Sequence, residues 1–489
     1  MSSRGRASHR ANADAVHAGI VLCPAPSSVR PSIPPSAHRP EPPISRARTV
    51  LGALVAISAL TFVACDAPTD VDSVRVLSAE LTTPAPLVRT LRVALDRPAE
   101  LTVEYWTDGD SRLRVQAPAS ASPSITLTRL RPRRSYHFQV VGTTLTGDFT
   151  SDTVPTDLAA SLVSTTGRHT APLVMLHLFE PTGFKGYAML DEHDDVVWYW
   201  RTTDFPFGMA RRTNGNFVLM DKGRGLVEVG PDGVVAHELP QDFANREMHH
   251  DAVASRSNTV FFIAFDDRTV NGAKVRGEAI WEWSPETGAL DKRWTTWDHF
   301  SLAATPAPRA DREWAHANAL AIGPRNNVLV SMHHWNQVVS ITSDWSTIEW
   351  RLGGMNATYP LPAADAFSGQ HTAREISPGH VVLFDNGAER GGFSRAIEYS
   401  LDGGTARVQW EWRAQPINFA PFLGSARRLA NGNTMIAFGV MAGLSGSSGP
   451  TEVYEVDAAG TPVWHLVTRT FNMYRAEPQT SIGAESVVP

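Results

Sequence analysis

A repeat of tight turns and short apolar strands, which begins near residue 161, constrains the fold of this chain more than any other feature. One half of the repeat is a turn, often Asn-Gly, that leads into an apolar strand. It occurs five times, at Asn214–Leu219, Ser257–Phe262, Arg325–Val330, Pro378–Leu383 and Asn431–Ile436. The other half is a pair of short strands around a polar turn, and the second strand often ends in Trp. It occurs six times, starting at Met189, Val227, Ile280, Val338, Ala396 and Val453.

Four short strands in each unit of roughly 45 to 55 residues predict the blades of a β-propeller. The Asn-Gly pairs tolerate the positive φ that a two-residue hairpin demands. We therefore predict an all-β chain in which residues 161–489 form a six-bladed propeller, with seven blades as the alternative. Since the two halves of the repeat differ in copy number, we expect strands from both ends of this segment to complete one blade. A longer insertion at Asp298–Arg312 predicts a lid or rim loop.

Residues 67–157 predict a small β-sandwich ahead of the propeller. Leu91–Leu95 and Leu101–Trp106 alternate in the way that is typical of half-buried strands. Leu130–Val140 resembles the fibronectin type III pattern, in which a tyrosine, here Tyr136, anchors a corner through its hydroxyl. Nothing in this module indicates catalysis, so we interpret it as a spacer or an adhesive stalk.

The N-terminal segment indicates export. Residues 1–44 are rich in Pro, Ser and Arg without apolar periodicity, so we expect disorder and a translation start further downstream. Residues 45–65 place two arginines before an uncharged run that ends in Ala-Cys, a pattern typical of a lipoprotein signal peptide. The prediction is an exported protein, periplasmic or on the cell surface, that a lipid on Cys65 anchors to a membrane. The alternative is an ordinary cleavage site beside an incidental cysteine.

Composition excludes several classes of function. The formal net charge of −6 gives no electrostatic reason for nucleic-acid binding. The chain has two cysteines, too few for a disulfide framework or a cysteine-based metal site. It has no GxxxxGK[ST] loop, which argues against a nucleotide donor, and we expect no cofactor.

Histidines recur at matching places in the repeat. His250 and His371 each lie eight residues before the hairpin turn that follows them, and His316 lies ten residues before its own turn. The innermost strands of a propeller line its channel, so these three side chains are expected to converge. His333 and His334 follow the strand that His316 begins and are expected near one end of the channel. A single histidine of this kind is more often a structural residue, but the set is not.

Several motifs in one order resemble those of the arylsulfate sulfotransferase family, over roughly Thr170 to Val467. They are Trp314–Asn318, Glu349–Gly354, Gln370–Thr372, Phe384–Gly387, Ser394–Tyr399 and Asn431–Asn433. The resemblance implies an exported six-bladed propeller. It also implies transfer of a sulfuryl group from a phenolic sulfate ester to a phenol acceptor, without a nucleotide donor.

The resemblance also implies roles for individual residues. His371 matches the histidine that becomes transiently sulfurylated, and His250 and His316 match its catalytic partners. Asn318 and Asn386 lie in the matching motifs and are candidate substrate-binding residues. Imidazole suits the reaction because its ordinary pKa of about 6.5 leaves a free lone pair near neutral pH.

One motif departs from the family pattern. The family has a Ser-Ser-Arg-His-like stretch whose arginine helps to bind sulfate, whereas this chain has Ser331–His334, with His333 and His334 as substrate-binding candidates. A neutral histidine is a poorer anion ligand than an arginine that is always charged. Arg374 and Arg395 are the candidates to supply the missing charge.

Two other functions stay open from the sequence. The histidines together with Asp251 or Asp385 are able to hold zinc or copper, which would make the protein a metal-dependent hydrolase or oxidoreductase. Alternatively, the propeller and the stalk form a non-catalytic surface-binding lipoprotein, in which the histidines are relict. The departure at His333 favours this third reading.

Overall fold

The computed structural model describes residues 60–62, 74–159, 162–439, 450–468 and 470–488 of the 489-residue chain. The segment 1–44 and Cys65 lie outside the described residues, so disorder, export and lipidation stay predictions. In the part of the chain that is described, no helix is long and apolar enough to cross a bilayer.

The first strands form a sandwich of two sheets. One sheet has the order β1 (Leu60–Phe62), β2 (Val76–Ala85), β3 (Val88–Leu95) and β6 (Ser124–Leu127). The other has the order β34 (Ser486–Val487), β5 (Leu113–Ser120), β4 (Ala99–Trp106), β7 (Ser135–Val140) and β8 (Thr146–Thr150). Leu91 and Val103, from opposite sheets, are buried in one apolar core. The Tyr136 hydroxyl accepts a hydrogen bond from the Arg131 amide at 2.8 Å, so it anchors the backbone as expected.

Six antiparallel sheets follow in the described residues. The first sheet has the order β33 (Asn472–Gln479), β10 (Leu173–Phe179), β11 (Lys185–Leu190) and β12 (Val196–Arg201). The second has the order β13 (Pro206–Arg211), β14 (Phe217–Asp221), β15 (Gly225–Val229) and β16 (Val235–Pro240). The third has the order β17 (Met248–Ala254), β18 (Val260–Val270), β19 (Ala273–Ser284) and β20 (Ala289–Thr295). The next two are β21 (Ala317–Ile322), β22 (Val328–Met332), β23 (Gln337–Ile341) and β24 (Ile348–Leu352); and β25 (His371–Ser377), β26 (His380–Asp385), β27 (Arg395–Asp402) and β28 (Thr405–Trp412). The last is β29 (Ser425–Arg428), β30 (Thr434–Phe438), β31 (Thr451–Val456), β32 (Pro462–Thr468) and β9 (Leu162–Gly167).

The first strand of each sheet contacts the first strand of the next. The contacts run from β13 through β17, β21, β25 and β29 to β33, and β33 contacts β13, so the strands form a closed ring. The predicted β-propeller is therefore confirmed. Tryptophans near strand ends pack between neighbouring sheets: Trp198 lies 5.1 Å from Phe217 between ring centroids, and Trp283 and Trp464 are buried.

Both ends of the repeat segment contribute to closing the ring. β33 pairs with β10 in the first sheet, with Leu173 opposite Gln479. β9 pairs with the outer strand β32, with Thr166 opposite His465. The prediction that strands from both ends complete one blade is confirmed, and β9 adds a second overlap. β34 then leaves the propeller and joins the sandwich.

Helices are short, and two lie near the expected lid. The described helices are α1 (Thr156–Ala159), α2 (Thr296–His299) and the 3₁₀ turns Phe243–Asn245, Leu302–Ala304 and His333–Trp335. The insertion Asp298–Arg312 begins in α2 and includes the second 3₁₀ turn. Its Arg309 forms an ion pair with Glu389 at 3.4 Å, which ties the insertion to the turn after β26.

Candidate functional site

The structure brings the three repeat-equivalent histidines to one end of the channel. His250 lies in β17, His316 directly precedes β21 and His371 begins β25, so they come from three consecutive inner strands. The ring centroids of His250 and His316 are 4.6 Å apart. His333 lies 5.0 Å from His316 and 5.6 Å from His371, and so connects them. We call His250, His316, His333, His334 and His371 the histidine cluster.

Local irregularities in the inner strands aim these side chains. His250 and His316 have φ values of 62° and 50°, and Thr372, next to His371, has 54°. The pairing of β17 and of β25 with the next strand shifts register at His250 and Thr372, and that of β21 shifts just after His316, between Ala317 and Ala319. Left-handed backbone costs a non-glycine residue roughly 1–2 kcal/mol. Bulges of this kind often re-aim side chains near active sites, and no sequence pattern indicated them.

Asn386 fixes the tautomer of His371. The Asn386 amide nitrogen donates to the Ala420 and Leu423 carbonyls, at 2.7 Å each, so its oxygen faces His371. That oxygen lies 2.7 Å from His371 Nδ1 and can only accept, so Nδ1 carries the hydrogen. The lone pair is therefore on Nε2. Burial, opposed by the bond to Asn386, lowers the pKa of His371 to about 3, which keeps this lone pair free near neutral pH.

Three other cluster members are also held neutral. Burial, reinforced by the neighbouring histidines, lowers the pKa of His250 and of His333 well below its usual range. Burial lowers the pKa of His334 to about 4, with the charge of His316 as the next cause. Near neutral pH this end of the channel is consequently rich in imidazole lone pairs and poor in fixed positive charge.

Glu313 and His249 belong to the site, and the sequence did not single out either as functional. Glu313 Oε2 contacts His316 Nδ1. His249 Nδ1 lies 2.7 Å from His250 Nδ1, and its ring stacks on Phe265 at 4.0 Å. The Glu-x-x-His spacing before His316 was the available signal for Glu313.

Two further inner strands, β13 and β33, bring the aromatic residues Phe207 and Tyr474 next to the histidine cluster. The Phe207 ring lies 5.1 Å from His250 and 5.7 Å from Tyr474. The Tyr474 hydroxyl donates to the His250 carbonyl at 3.0 Å. Only ring closure reveals these neighbours, because Tyr474 comes from the last inner strand.

Asn318 supports the histidine cluster through the backbone next to His371. Its amide nitrogen donates to the Gln370 carbonyl at 2.8 Å, next to His371. Its own carbonyl accepts from Arg475 at 3.0 Å. The side chain is completely buried, and its substrate-binding role stays a prediction.

Arg374 and Arg395 are not brought to the histidine cluster. Arg395 is buried between Asp385, at 2.8 Å, and Glu411, at 2.7 Å. Arg374 lies three residues beyond His371 in β25, past the register shift at Thr372. There it lines a separate cavity of about 390 Å³ together with Arg427 and Arg428.

The two aspartates that the sequence offered as metal ligands are already paired. Asp251 binds Arg475 at 2.7 Å and accepts from the Leu320 amide at 2.8 Å. Asp385 binds Arg390 at 2.9 Å in addition to Arg395. Both carboxylates are thus engaged in structural bonds.

A cavity of about 610 Å³ borders the cluster at His334. Its wall includes the apolar side chains of Trp335, Leu361 and Phe367, and Arg390 lies at its polar part. Polar groups, among them His334, Asn336 and Ser368, share the wall with these apolar side chains, so the cavity offers both kinds of contact to a small molecule.

Comparison with known proteins identifies the family. The model of the arylsulfotransferase (ASST) family matches residues 160–475, well over half of the chain, and the chain belongs to this family. Family membership supports aryl sulfotransferase activity in general, with small-molecule aryl sulfates and phenols as substrates. No curated protein matches the chain.

Solved structures show only distant likeness. A protein of unknown function from Bacteroides caccae is 13% identical, with 64% of this chain and 98% of that chain covered at a TM-score of 0.42. The calcium-binding protein regucalcin from Agrobacterium tumefaciens is 10% identical, with 64% and 95% covered at a TM-score of 0.37. Virginiamycin B lyase from Staphylococcus aureus is 12% identical, with 69% and 91% covered at a TM-score of 0.33.

Proposed function

We propose, from membership of the arylsulfotransferase family, that this protein moves a sulfuryl group from a phenolic sulfate ester to a phenol through a sulfohistidine on His371. The observation that carries the proposal is the bond between His371 Nδ1 and Asn386. It leaves the Nε2 lone pair free for attack, in a site where burial keeps the ring neutral.

In the first half-reaction, His371 Nε2 attacks the sulfur of the donor. A nitrogen–sulfur bond forms as the bond from sulfur to the phenolic oxygen breaks, and the electron pair of that bond leaves on the phenolate. Positive charge that develops on the imidazole is stabilised by the Asn386 oxygen, which already accepts from Nδ1. The Gly369 carbonyl, 3.2 Å from Nδ1, adds to this stabilisation.

Protons move through the other histidines. His316, whose Nδ1 contacts Glu313, protonates the departing phenolate, while its neutral neighbour His250 lies 4.6 Å away between ring centroids. In the second half-reaction the same group takes the proton of the acceptor phenol, whose oxygen attacks the sulfur and releases His371. The donor phenol leaves before the acceptor reacts, so the kinetics are ping-pong.

The cavity beside His334 supports an aromatic substrate. Its apolar wall at Trp335, Leu361 and Phe367 offers contacts to a phenyl ring, and His333 and His334 separate it from His371. The replacement of the family arginine by His333 leaves the sulfuryl oxygens with neutral partners, so we expect slower turnover than an arginine would give.

Intact-mass measurement after incubation with an aryl sulfate donor alone tests the nucleophile. The wild type should gain the mass of one sulfuryl group and release the phenol in a burst. His371→Ala should gain none. The matched control is His380→Ala, since His380 lies half-exposed beside Glu398 on β26. A wild type without adduct, or a His371→Ala variant that retains acceptor-dependent turnover, would refute the sulfohistidine.

We propose also that the protein is exported and lipid-anchored at Cys65, on the strength of residues 45–65 alone. Labelled palmitate should be incorporated by cells that express the wild type and not by cells that express Cys65→Ala. Incorporation into Cys65→Ala, or wild type in the cytosolic fraction, would contradict the anchor.

A further inference from the structure

Three side chains at the rim of the histidine cluster converge without an arginine between them. One ligand atom each from Glu313, His316 and His334 lies within 4.8 Å of the other two. The rings of His316 and His334 stack, with centroids 4.7 Å apart and planes inclined by 26°. All three residues are partly exposed, so an ion from solvent can reach them.

The backbone holds these side chains in place independently of any ligand. The His333 amide donates to the His316 carbonyl at 3.1 Å, and the His334 amide donates to the Ala315 carbonyl at 3.0 Å. The Glu313 carbonyl accepts from the Arg309 amide at 3.0 Å. The 3₁₀ turn and the start of β21 are thereby fixed to each other, which is the kind of support that keeps ligands oriented.

Two imidazole nitrogens at this site, one on His334 and one on its neighbour His333, have no hydrogen-bond partner among the described residues. The Nδ1 atoms of His333 and His334 are buried and make no hydrogen bond with the described residues. Buried polar atoms in folded proteins nearly always have a partner, and each exception calls for a cause such as an ion or a water molecule. Unpartnered nitrogens on two adjacent histidines favour a ligand that accepts electron pairs.

We infer that Glu313, His316 and His334 bind a divalent transition-metal ion of the zinc class. Two imidazoles and one carboxylate form a typical ligand set for zinc, with the fourth position open to water or substrate. Ligand atoms about 2.1 Å from a tetrahedral ion lie roughly 3.4 Å from each other, so shifts on the order of 1 Å suffice. Binding displaces the proton that Glu313 and His316 share and releases it to solvent.

A second cluster in the chain shows what a non-binding arrangement looks like. One ligand atom each from Asp191, Glu192 and His193 also lies within 4.8 Å of the other two. However, Arg131 binds Asp191 at 2.6 Å and also contacts His193 Nδ1. The other Asp191 oxygen accepts from the His193 amide at 2.9 Å. A cation already occupies this cluster, so we expect no metal there.

Metal binding at the first cluster does not depend on sulfuryl transfer. An ion at Glu313 and His316 brings positive charge next to His333, where the family pattern has an arginine. Binding is measured on resting protein without substrate, so its failure is distinct from failure of the sulfohistidine.

Calorimetric titration with ZnCl₂ tests the site on full-length protein that was stripped with chelator and transferred to chelator-free buffer. We expect one zinc ion per chain, retained through gel filtration, and a higher thermal midpoint because the ion binds the folded state. Glu313→Gln and His334→Ala should weaken binding by more than the about 10- to 100-fold that loss of an outer-shell partner costs. His193→Ala is the matched control and should bind as the wild type does.

His334→Cys separates loss of a ligand from loss of fold. Thiolate is a good zinc ligand, so this variant should keep the ion, and its Co²⁺ form should show a sulfur-to-cobalt absorption band that the wild type lacks. The inference is overturned if the wild type binds no zinc, if Glu313→Gln and His334→Ala bind it unchanged, or if His193→Ala removes it.

Discussion

The two ends of the propeller channel use buried polar groups in opposite ways. At the histidine end, ring centroids lie 4.6 to 5.6 Å apart, and the Nδ1 atoms of His333 and His334 have no hydrogen-bond partner among the described residues. At the other end, Arg427 binds Glu477 at 2.6 Å. Arg475 links the two ends by binding Asp251 at 2.7 Å and approaching Glu477 at 3.8 Å. Paired charges hold the ring together, whereas unpaired lone pairs remain available for chemistry.

The largest expected effect falls on the histidine end. His250→Ala and His316→Ala should each reduce the transfer rate by about 10²–10⁴-fold, the usual contribution of a general acid or base. Stability should change less than the rate, because the ion pair that His316→Ala loses, with Glu313, is partly exposed, and such pairs contribute about 0–1 kcal/mol. Steady-state rates with a phenyl sulfate donor and a phenol acceptor measure the effect. Wild-type rates in both variants would show that this end of the channel is not catalytic.

At the opposite end of the channel, a substitution should lower the free energy of unfolding. Glu477→Gln removes the partner of Arg427 in a buried pair, and breaking such a pair typically costs about 3–5 kcal/mol. Denaturant unfolding should show this loss, while the kcat/KM of the folded fraction stays near wild type. Glu238→Gln is the control, since its pair with Arg224 is solvent-exposed and such pairs contribute about 0–1 kcal/mol. Equal losses in both variants would contradict the contrast between the ends.

A fall in pH should affect activity through His371 at one end of the channel and stability through Glu477 at the other. The nucleophile is lost only when His371 takes up a proton, and its pKa is lowered to about 3. Activity should therefore persist as the pH falls below the ordinary histidine value of about 6.5. The acid limb of kcat/KM, measured on enzyme shown to remain folded, checks this. A limb centred near pH 6.5 would mean that a histidine in an ordinary environment supplies the essential lone pair.

Glu477 predicts the corresponding change in stability. Its pKa is held well below 4.5, with burial opposed mainly by Arg427 and His177, so the folded state keeps the carboxylate charged. That stability is present above the ordinary pKa of glutamate and is lost as the pH falls toward the folded value. Unfolding measured below about pH 4.5 should show a shallower decline for Glu477→Gln than for the wild type. If the wild type and Glu477→Gln lose stability in parallel as the pH falls, titration of Glu477 is not the cause.

The smallest effect is expected at the family departure. His333→Arg places a permanent charge between His316 and His371 and should raise kcat/KM about tenfold, the lower end of what a hydrogen bond to a charged group contributes, about 1.5 kcal/mol. His237→Arg, on the outer strand β16, is the control. A decrease in the rate would show that the cluster works as a neutral set.

Much of the fold was predictable because its signals are local. Turn chemistry and alternation along short strands gave the repeat, and the copy mismatch gave the closure through β33. The similar offsets of His250, His316 and His371 to their turns indicated that these three would converge. Arg374, the candidate to supply the missing charge, instead lines the cavity with Arg427 and Arg428, because the sequence does not show which way each residue of an inner strand faces.

The sequence by itself determined that this chain forms an all-β ring with histidines on neighbouring inner strands, because strand period and turn residues act over a few positions. Only the tertiary structure decided what those histidines meet. Asn386 reaches His371 across the strand pair β25–β26, and Glu313 reaches His316 through a local turn. Tyr474 arrives from the far end of the chain only when the ring closes. Asn386 and Tyr474 depend on strand register, bulges and closure, which no local pattern encodes, whereas Glu313 lay within reach of the local Glu-x-x-His signal.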